Sequence, residues 1–170
     1  VCMDMNRAYR NLVRRWFPNA MIVLDRFHVI RLVNERFRQV LTELDDKRLS
    51  YNRGRLMRMM TMARQRLAPA QKTRLERYFQ GQPAIGVLYG FWHELNDLLR
   101  SRNQTMAECK RLIPRFLGYL QQLVLSPFAP LKTLGKTLGS WKEEIVRMFR
   151  FSRSNGITEG GHRKMKLIQR

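Results

Sequence analysis

The 170-residue sequence is poor in acidic residues, in cysteines and in long apolar runs. Only 13 Asp and Glu face 33 Lys and Arg, which gives a formal net charge of +20. Cys2 and Cys109 belong to no CxxC or Cys/His cluster, so reduced thiols are expected rather than a disulfide framework or a zinc site. The longest apolar runs, such as residues 21–24, are too short to span a bilayer. With no visible signal peptide, a cytoplasmic location is expected.

Signature motifs of several enzyme classes are also missing. The chain has no GxxxxGK[ST] phosphate loop, no GxSxG nucleophile elbow and no HExxH metal motif. What it does have is 44% hydrophobic residues, enough for a core, and cations spread from Arg7 to Arg170. Such a charge on a foldable chain indicates a polyanionic partner, most simply nucleic acid bound through its phosphates. A membrane surface is the rival partner.

The first segment predicts a compact strand–helix–strand unit with parallel strands. Residues 1–5 and 20–24 are short apolar strands that end near Asp4 and Asp25, and residues 6–17 form the helix between them. Parallel neighbours place both acids at one carboxyl edge of the sheet, where the active sites of open α/β sheets lie. Each acid also has a plain alternative as the N-cap of the following helix. His28 alone is more typical of a hydrogen-bonded structural residue than of a ligand or base.

The rest of the chain predicts helices and no further strand. The helix of residues 6–17 has an apolar face made of Tyr9, Leu12, Val13 and Trp16. Apolar residues at helical spacing then predict helices over residues 26–45, 46–67, 70–79, 85–101, 105–125 and 131–149. Thr105 is the expected N-cap of its helix, which Pro114 could kink or divide. The predicted organisation is therefore an α/β segment over residues 1–45 followed by an all-helical segment over residues 46–150.

The last segment, residues 151–170, carries one carboxylate among many cations. Asn155 is a good N-cap, and Glu159 then lies near the positive end of a helix. Arg163, Lys166 and Arg170 share its helical face. One interpretation is a solvated basic helix, and the other is a metal-binding carboxylate beside cations that hold phosphates. Three converging carboxylates would suit Mg²⁺ or Mn²⁺, and two such ions can catalyse phosphodiester displacement.

Three runs of the sequence resemble the DDE transposases of bacterial insertion sequences, most closely the group typified by the ISL-three element. They are Val-Cys-Met-Asp-Met at residues 1–5, Phe-Pro-Asn-Ala-Met-Ile-Val-Leu-Asp-Arg-Phe-His at 17–28, and Ser-Asn-Gly-Ile-Thr-Glu-Gly at 154–160. The order and spacing of the runs match across the whole chain. The combination of Asp-x-x-His with Ser-Asn-Gly-x-x-Glu-Gly is specific, unlike either motif alone.

This resemblance implies a partial RNase H-like fold interrupted by a large helical insertion, and a catalytic triad of Asp, Asp and Glu. Asp4 matches the second Asp, and Glu159 matches the Glu on a core helix within residues 151–170. Asp25 and His28 match the Asp-x-x-His motif that lies between them in the family. The first Asp is expected upstream of this sequence, so we expect the chain to be the C-terminal part of a catalytic domain and inactive alone.

The resemblance also implies an activity and its partners. The expected activity is metal-dependent DNA nicking and strand transfer, with two Mg²⁺ or Mn²⁺ ions shared by Asp4, Glu159 and the missing Asp. The expected partner is the DNA of the element ends and the target. Four cations are expected to bind its backbone: Arg163, Lys164, Lys166 and Arg170. A homodimer and a nucleoid-associated bacterial location are expected for the full-length protein. The alternative is a non-catalytic basic helical module that binds nucleic acid and uses its acids only as caps.

Overall fold

The computed structural model describes residues 1–44 and 53–151 of the chain. The first part contains β1 (Cys2–Met3), α1 (Arg7–Trp16), β2 (Val23–Leu24) and α2 (Arg26–Leu44). The second part contains α3 (Arg53–Thr61), α4 (Pro69–Gly81), α5 (Pro83–Arg100), α6 (Met106–Leu125), α7 (Ala129–Ser140) and α8 (Lys142–Arg150). A 3-10 turn, Arg64–Arg66, joins α3 to α4. The prediction of a mostly helical chain with one short parallel strand–helix–strand unit is confirmed.

The two strands form a very small parallel sheet. Cys2 lies opposite Val23 and Met3 lies opposite Leu24. The backbone N–H of Asp25 donates to the Met3 carbonyl at 2.8 Å, which extends the ladder to the strand end. A sheet of this size is not stable alone. It depends on burial of β2 and on α8, which packs against that strand.

Helix α1 begins as predicted but turns its apolar face outward. The Asn6 side chain caps it by accepting two backbone N–H groups of the first turn, at 2.9 and 3.2 Å. Val13 is buried, whereas Tyr9 is 62% exposed and Trp16 is 67% exposed. Leu12 is exposed as well. Of this apolar face only Val13 is buried, in a small cluster with Met3 and Ile22.

The reason is an ion pair that holds α1 to α8 through its basic side. Glu144 of α8 is almost fully buried, and its Oε1 lies 3.1 Å from Arg14 Nη2 and 3.8 Å from Arg10 Nη1. The Arg10 guanidinium also lies 4.1 Å from the centroid of the Trp141 ring. Because these cations face the rest of the chain, the aromatic side of α1 faces solvent.

Helix α2 is the central element of the main core. Four of its predicted apolar positions are buried: Val33, Phe37, Val40 and Leu41. It packs on α5 and α7, and the Phe37 ring stacks parallel to the Trp92 ring at 5.8 Å. The ends of the predicted stripe, Phe27 and Leu44, are exposed. One hydrophobic cluster extends from Val23 through all the later helices to Phe149.

Two predicted helix boundaries are wrong. The helix predicted to reach residue 67 ends at Thr61, and residues 46–52 lie outside the described ranges. The helix predicted over residues 131–149 is two helices that meet at Trp141, whose φ and ψ are −117° and 13°. Gly139 and Ser140 are weak helix formers at the end of α7, and two acids favour a new helix start in α8. The predicted apolar positions are nevertheless buried: Leu134, Leu138, Trp141, Ile145 and Phe149.

Helix α6 agrees with its prediction at both ends. Thr105 Oγ1 accepts from the Glu108 N–H at 3.2 Å, and the Glu108 carboxylate accepts from the Thr105 N–H at 2.7 Å. This reciprocal pair is a capping box. The helix continues through Pro114 without division. None of the helices in the described ranges is both long and apolar enough to cross a membrane.

Candidate active site

Asp4 and Asp25 lie at the carboxyl edge of the two-stranded sheet. Asp4 follows β1 directly, and Asp25 follows β2 directly. Parallel pairing in the register described above brings the two strand ends side by side. Asp25 is buried, with 6% of its surface exposed, whereas 52% of the Asp4 side chain is exposed. The edge therefore presents one fixed and one accessible carboxylate.

His28 joins these acids from the first turn of α2. Its Nε2 lies 3.3 Å from Asp4 Oδ1. One ligand atom from each of Asp4, Asp25 and His28 lies within 4.8 Å of the other two. This group, which we call the edge cluster, is the only set of three such residues that the described part of the chain brings together.

The cap alternatives for the two acids have different outcomes. Asp25 Oδ1 accepts from the Phe27 N–H at 2.9 Å, so Asp25 does cap α2. The side chain that caps α1 is Asn6, and the interpretation of Asp4 as its cap is wrong. The cap contact fixes the Asp25 carboxylate at the strand edge. Asp4, in contrast, does not cap a helix.

The edge cluster has the donors and the dimensions to hold a small divalent cation. Mg²⁺ binds oxygen at about 2.0–2.1 Å, so two ligands on opposite sides of one ion lie about 4.2 Å apart. The ligand atoms of the edge cluster lie within 4.8 Å of one another, which is close to this separation. The half-exposed Asp4 side chain can adjust to an ion. Two carboxylates also suit Mg²⁺ or Mn²⁺, which prefer oxygen ligands.

A comparison with protein families identifies the chain. The family model described as a transposase, of the DDE type and the ISL-three group, matches residues 1–170. The chain belongs to this transposase family. The resemblance seen in the sequence is thereby confirmed, and DNA is the partner that the family implies. The alternative of a non-catalytic helical module is not favoured. Neither a curated protein nor a solved structure matches the chain.

Arg26 is a residue of the transposase site region to which the sequence assigned no role. Its Nε donates to the Leu99 carbonyl at 3.0 Å, and its Nη2 donates to the carbonyls of Ser101 at 2.9 Å and Met148 at 2.5 Å. Burial, followed by the nearby charge of Arg102, lowers the pKa of the Arg26 guanidinium. Arg26 thus joins the C-terminal ends of α5 and α8 to the start of α2, next to Asp25.

The other predicted site residues of the transposase lie outside the described ranges. They are Glu159, the predicted metal ligand, and the predicted DNA-binding cations Arg163, Lys164, Lys166 and Arg170. Asn155, the predicted cap, also lies there. A transposase site requires the Asp4 and Glu159 carboxylates to lie close enough to share a metal ion, whereas a non-catalytic module does not. Their close approach stays a prediction.

Proposed function

We propose that the chain is part of an RNase H-like catalytic domain that nicks DNA and transfers its strands in a metal-dependent reaction. The observation that carries this proposal is the edge cluster. It brings Asp4, Asp25 and His28 to the end of two parallel strands in a chain that belongs to a transposase family. Such a strand edge is where active sites of open α/β sheets lie.

In this proposal Asp4 and Glu159 are the metal ligands of the chain, together with an Asp outside this sequence. Divalent ions bound there, Mg²⁺ or Mn²⁺, would activate the attacking oxygen and stabilise the leaving oxygen of a phosphodiester. Asp4 suits this task because its side chain is half exposed and does not cap α1. The buried Asp25 supports the cluster with its negative charge from a position that its cap contact fixes.

His28 has a different role in the proposal. Its side chain is 27% exposed, so the ring is partly accessible from solvent. The Asp4 carboxylate, whose Oδ1 lies 3.3 Å from Nε2, orients the ring. A ring held in this way can donate a hydrogen bond to the scissile or a flanking phosphate. His28 would then position the DNA at the metal ligands.

Glu159 is within reach of the edge cluster by chain length. Phe151 lines a cavity of about 210 Å³ together with Cys2 and Val23, so the chain leaves α8 beside the strand pair. Glu159 follows Phe151 by eight positions. An extended chain of that length spans up to about 28 Å. This reach exceeds the distance between the two ends of such short strands, which supports Glu159 as a partner of Asp4.

The charge of the chain supports the DNA part of the proposal. Arg163, Lys164, Lys166 and Arg170 are placed by sequence just after Glu159, where they would bind the DNA backbone near the cut. Phosphate contacts position DNA without reading its sequence. Binding by this chain should therefore be largely nonspecific and should weaken strongly as salt increases. Recognition of the element ends would need other modules.

Manganese binding tests the metal part of the proposal directly. Electron paramagnetic resonance reports free Mn²⁺ during titration of the chain, which needs no catalytic activity. Asp4→Asn and Glu159→Gln should each weaken binding about tenfold or more, because each removes a charged ligand. Asp25→Asn should also weaken binding by removing a charge. It keeps an oxygen that can accept from the Phe27 N–H, so α2 should remain capped.

Asp97→Asn is the matched control. Asp97 is an exposed carboxylate of α5 whose Oδ1 lies 3.3 Å from Arg100, and it is not part of the edge cluster. Its replacement should leave manganese affinity unchanged. If the wild-type chain and Asp4→Asn bind Mn²⁺ equally well, the edge cluster is not a metal site and the proposal is wrong.

A further inference from the structure

A cavity of about 370 Å³ lies away from the edge cluster, between the 3-10 turn, α4 and α5. Its walls are apolar and partly aromatic. Leu67 and Leu75 are buried at its base, and the rings of Phe79 and Tyr89 lie side by side with centroids 4.9 Å apart. The close approach of these helices is possible because Gly86 has no Cβ, which would lie 3.1 Å from Phe79 Cβ. Phe79 is partly exposed, so the cavity offers an aromatic ring to a planar group.

Two cations stand at the mouth of this cavity. The Arg64 guanidinium lies 5.4 Å from the centroid of the Tyr89 ring, and its Nη2 donates to the Gly90 carbonyl at 3.4 Å. Lys72 is exposed on α4. Neither cation forms an ion pair with a carboxylate within residues 1–44 and 53–151. No carboxylate in these ranges neutralises either charge, so both can attract an anionic group that enters with the planar one.

The remaining lining residues are polar and match the edge of a nucleobase. Gln65 can pair with adenine through its amide, and the Glu76 carboxylate can accept from the amino group of cytosine. A planar apolar face, a polar edge and an attached phosphate together describe a nucleotide. A base inside a duplex stays stacked on its neighbours and cannot enter such a cavity.

We propose that this cavity binds one unpaired base of single-stranded DNA, with its phosphate at Arg64 and Lys72. The base stacks on the partly exposed ring of Phe79, beside the buried Tyr89. This adds a single-strand binding site to a chain whose other DNA contacts, as proposed above, involve only the backbone. The cations at the mouth and the net charge of +20 favour an anionic ligand over a neutral apolar one.

The test compares two single strands of equal length and charge by fluorescence anisotropy. One is a labelled oligodeoxycytidine, and the other is an abasic strand with the same phosphates. The wild-type chain should bind the oligodeoxycytidine about tenfold more tightly, because stacking of one base on an aromatic side chain has that effect. Equal affinity for the two strands would refute the proposal without any variant.

Variants then locate the site. Phe79→Leu should weaken oligodeoxycytidine binding about tenfold and leave abasic-strand binding within about twofold. Phe91→Leu makes the same change in a groove between α5 and α6, and it should alter neither affinity. Lys72 is exposed, so Lys72→Gln should leave the fold intact. It should weaken the binding of both strands and lower the slope of log affinity against log salt concentration by about one. The cavity is not the base site if Lys72→Gln leaves the affinity for both strands unchanged. The same conclusion follows if Phe79→Leu weakens the binding of the oligodeoxycytidine and of the abasic strand equally.

Discussion

Replacing the half-buried Arg26 should destabilise the chain more than replacing any exposed charged residue of α2. A hydrogen bond from a charged donor contributes about 1.5–3 kcal/mol, and Arg26 donates three of them to backbone carbonyls. The full sum is an upper limit, because water can reach helix-end carbonyls and because the half-buried guanidinium regains hydration on unfolding. We therefore expect Arg26→Leu to lower the free energy of unfolding by about 3 kcal/mol. Arg26→Lys keeps the charge but not the planar fork, so about half of this loss should remain.

Urea unfolding followed by circular dichroism measures this change, and Arg31 provides the matched control. Arg31 lies on the same helix, is exposed, and forms a single 2.8 Å ion pair with Glu35 one turn away. Exposed pairs of this kind contribute little because solvent screens them, so Arg31→Leu should change stability little. If Arg26→Leu and Arg31→Leu have equally small effects, the three carbonyl contacts do not hold α5 and α8 to α2.

Two further predictions concern packing and pH. An alanine Cβ at Gly135 would lie 2.8 Å from the backbone nitrogen of Val124, so Gly135→Ala should force α6 and α7 apart and cost about 1–3 kcal/mol in urea unfolding. An alanine Cβ at Gly118 would meet no atom within 4 Å, so Gly118→Ala should instead raise the free energy of unfolding by up to about 1 kcal/mol. If both variants change the free energy of unfolding in the same direction, this account is wrong. Burial lowers the pKa of His93, whose Nε2 lies 2.9 Å from the Met60 carbonyl. Stability should therefore fall as the pH drops below about 6.5, where the unfolded chain takes up the proton first. His93→Gln should flatten this dependence in thermal unfolding, and an unchanged slope would exclude His93 as its source.

The edge cluster was accessible to sequence reasoning because its signals are local. An apolar run that ends in an acid, a short helix and a second such run predict where Asp4 and Asp25 meet, since parallel strands share a carboxyl edge. The following turn of helix carries His28 to the same place. These placements need only the order of neighbouring elements. The helical stripes of α2 and of α7–α8 were likewise predictable from their period.

Contacts between distant residues gave no such signal. Arg26 reaches carbonyls that are 73, 75 and 122 positions away, and Arg14 reaches Glu144 over 130 positions. No period or motif relates residues at these separations. The Glu144 pair accounts for the outward position of Tyr9 and Trp16 on α1. Amphipathic spacing predicts that a face exists, whereas only the tertiary contacts decide which side of the helix packs.

Helix α8 connects the helical segment to both parts of the proposed catalytic site. The paired strands are too short to hold two carboxylates in place by their own hydrogen bonds. Their position depends on α8, which packs on β2, accepts from Arg26 through the Met148 carbonyl and pairs with α1 through Glu144. The same helix ends at Arg150, from which the chain leads to Glu159. A change in the packing of α8 would therefore move Asp4 and the start of the Glu159 segment together, although α8 itself carries none of the proposed ligands.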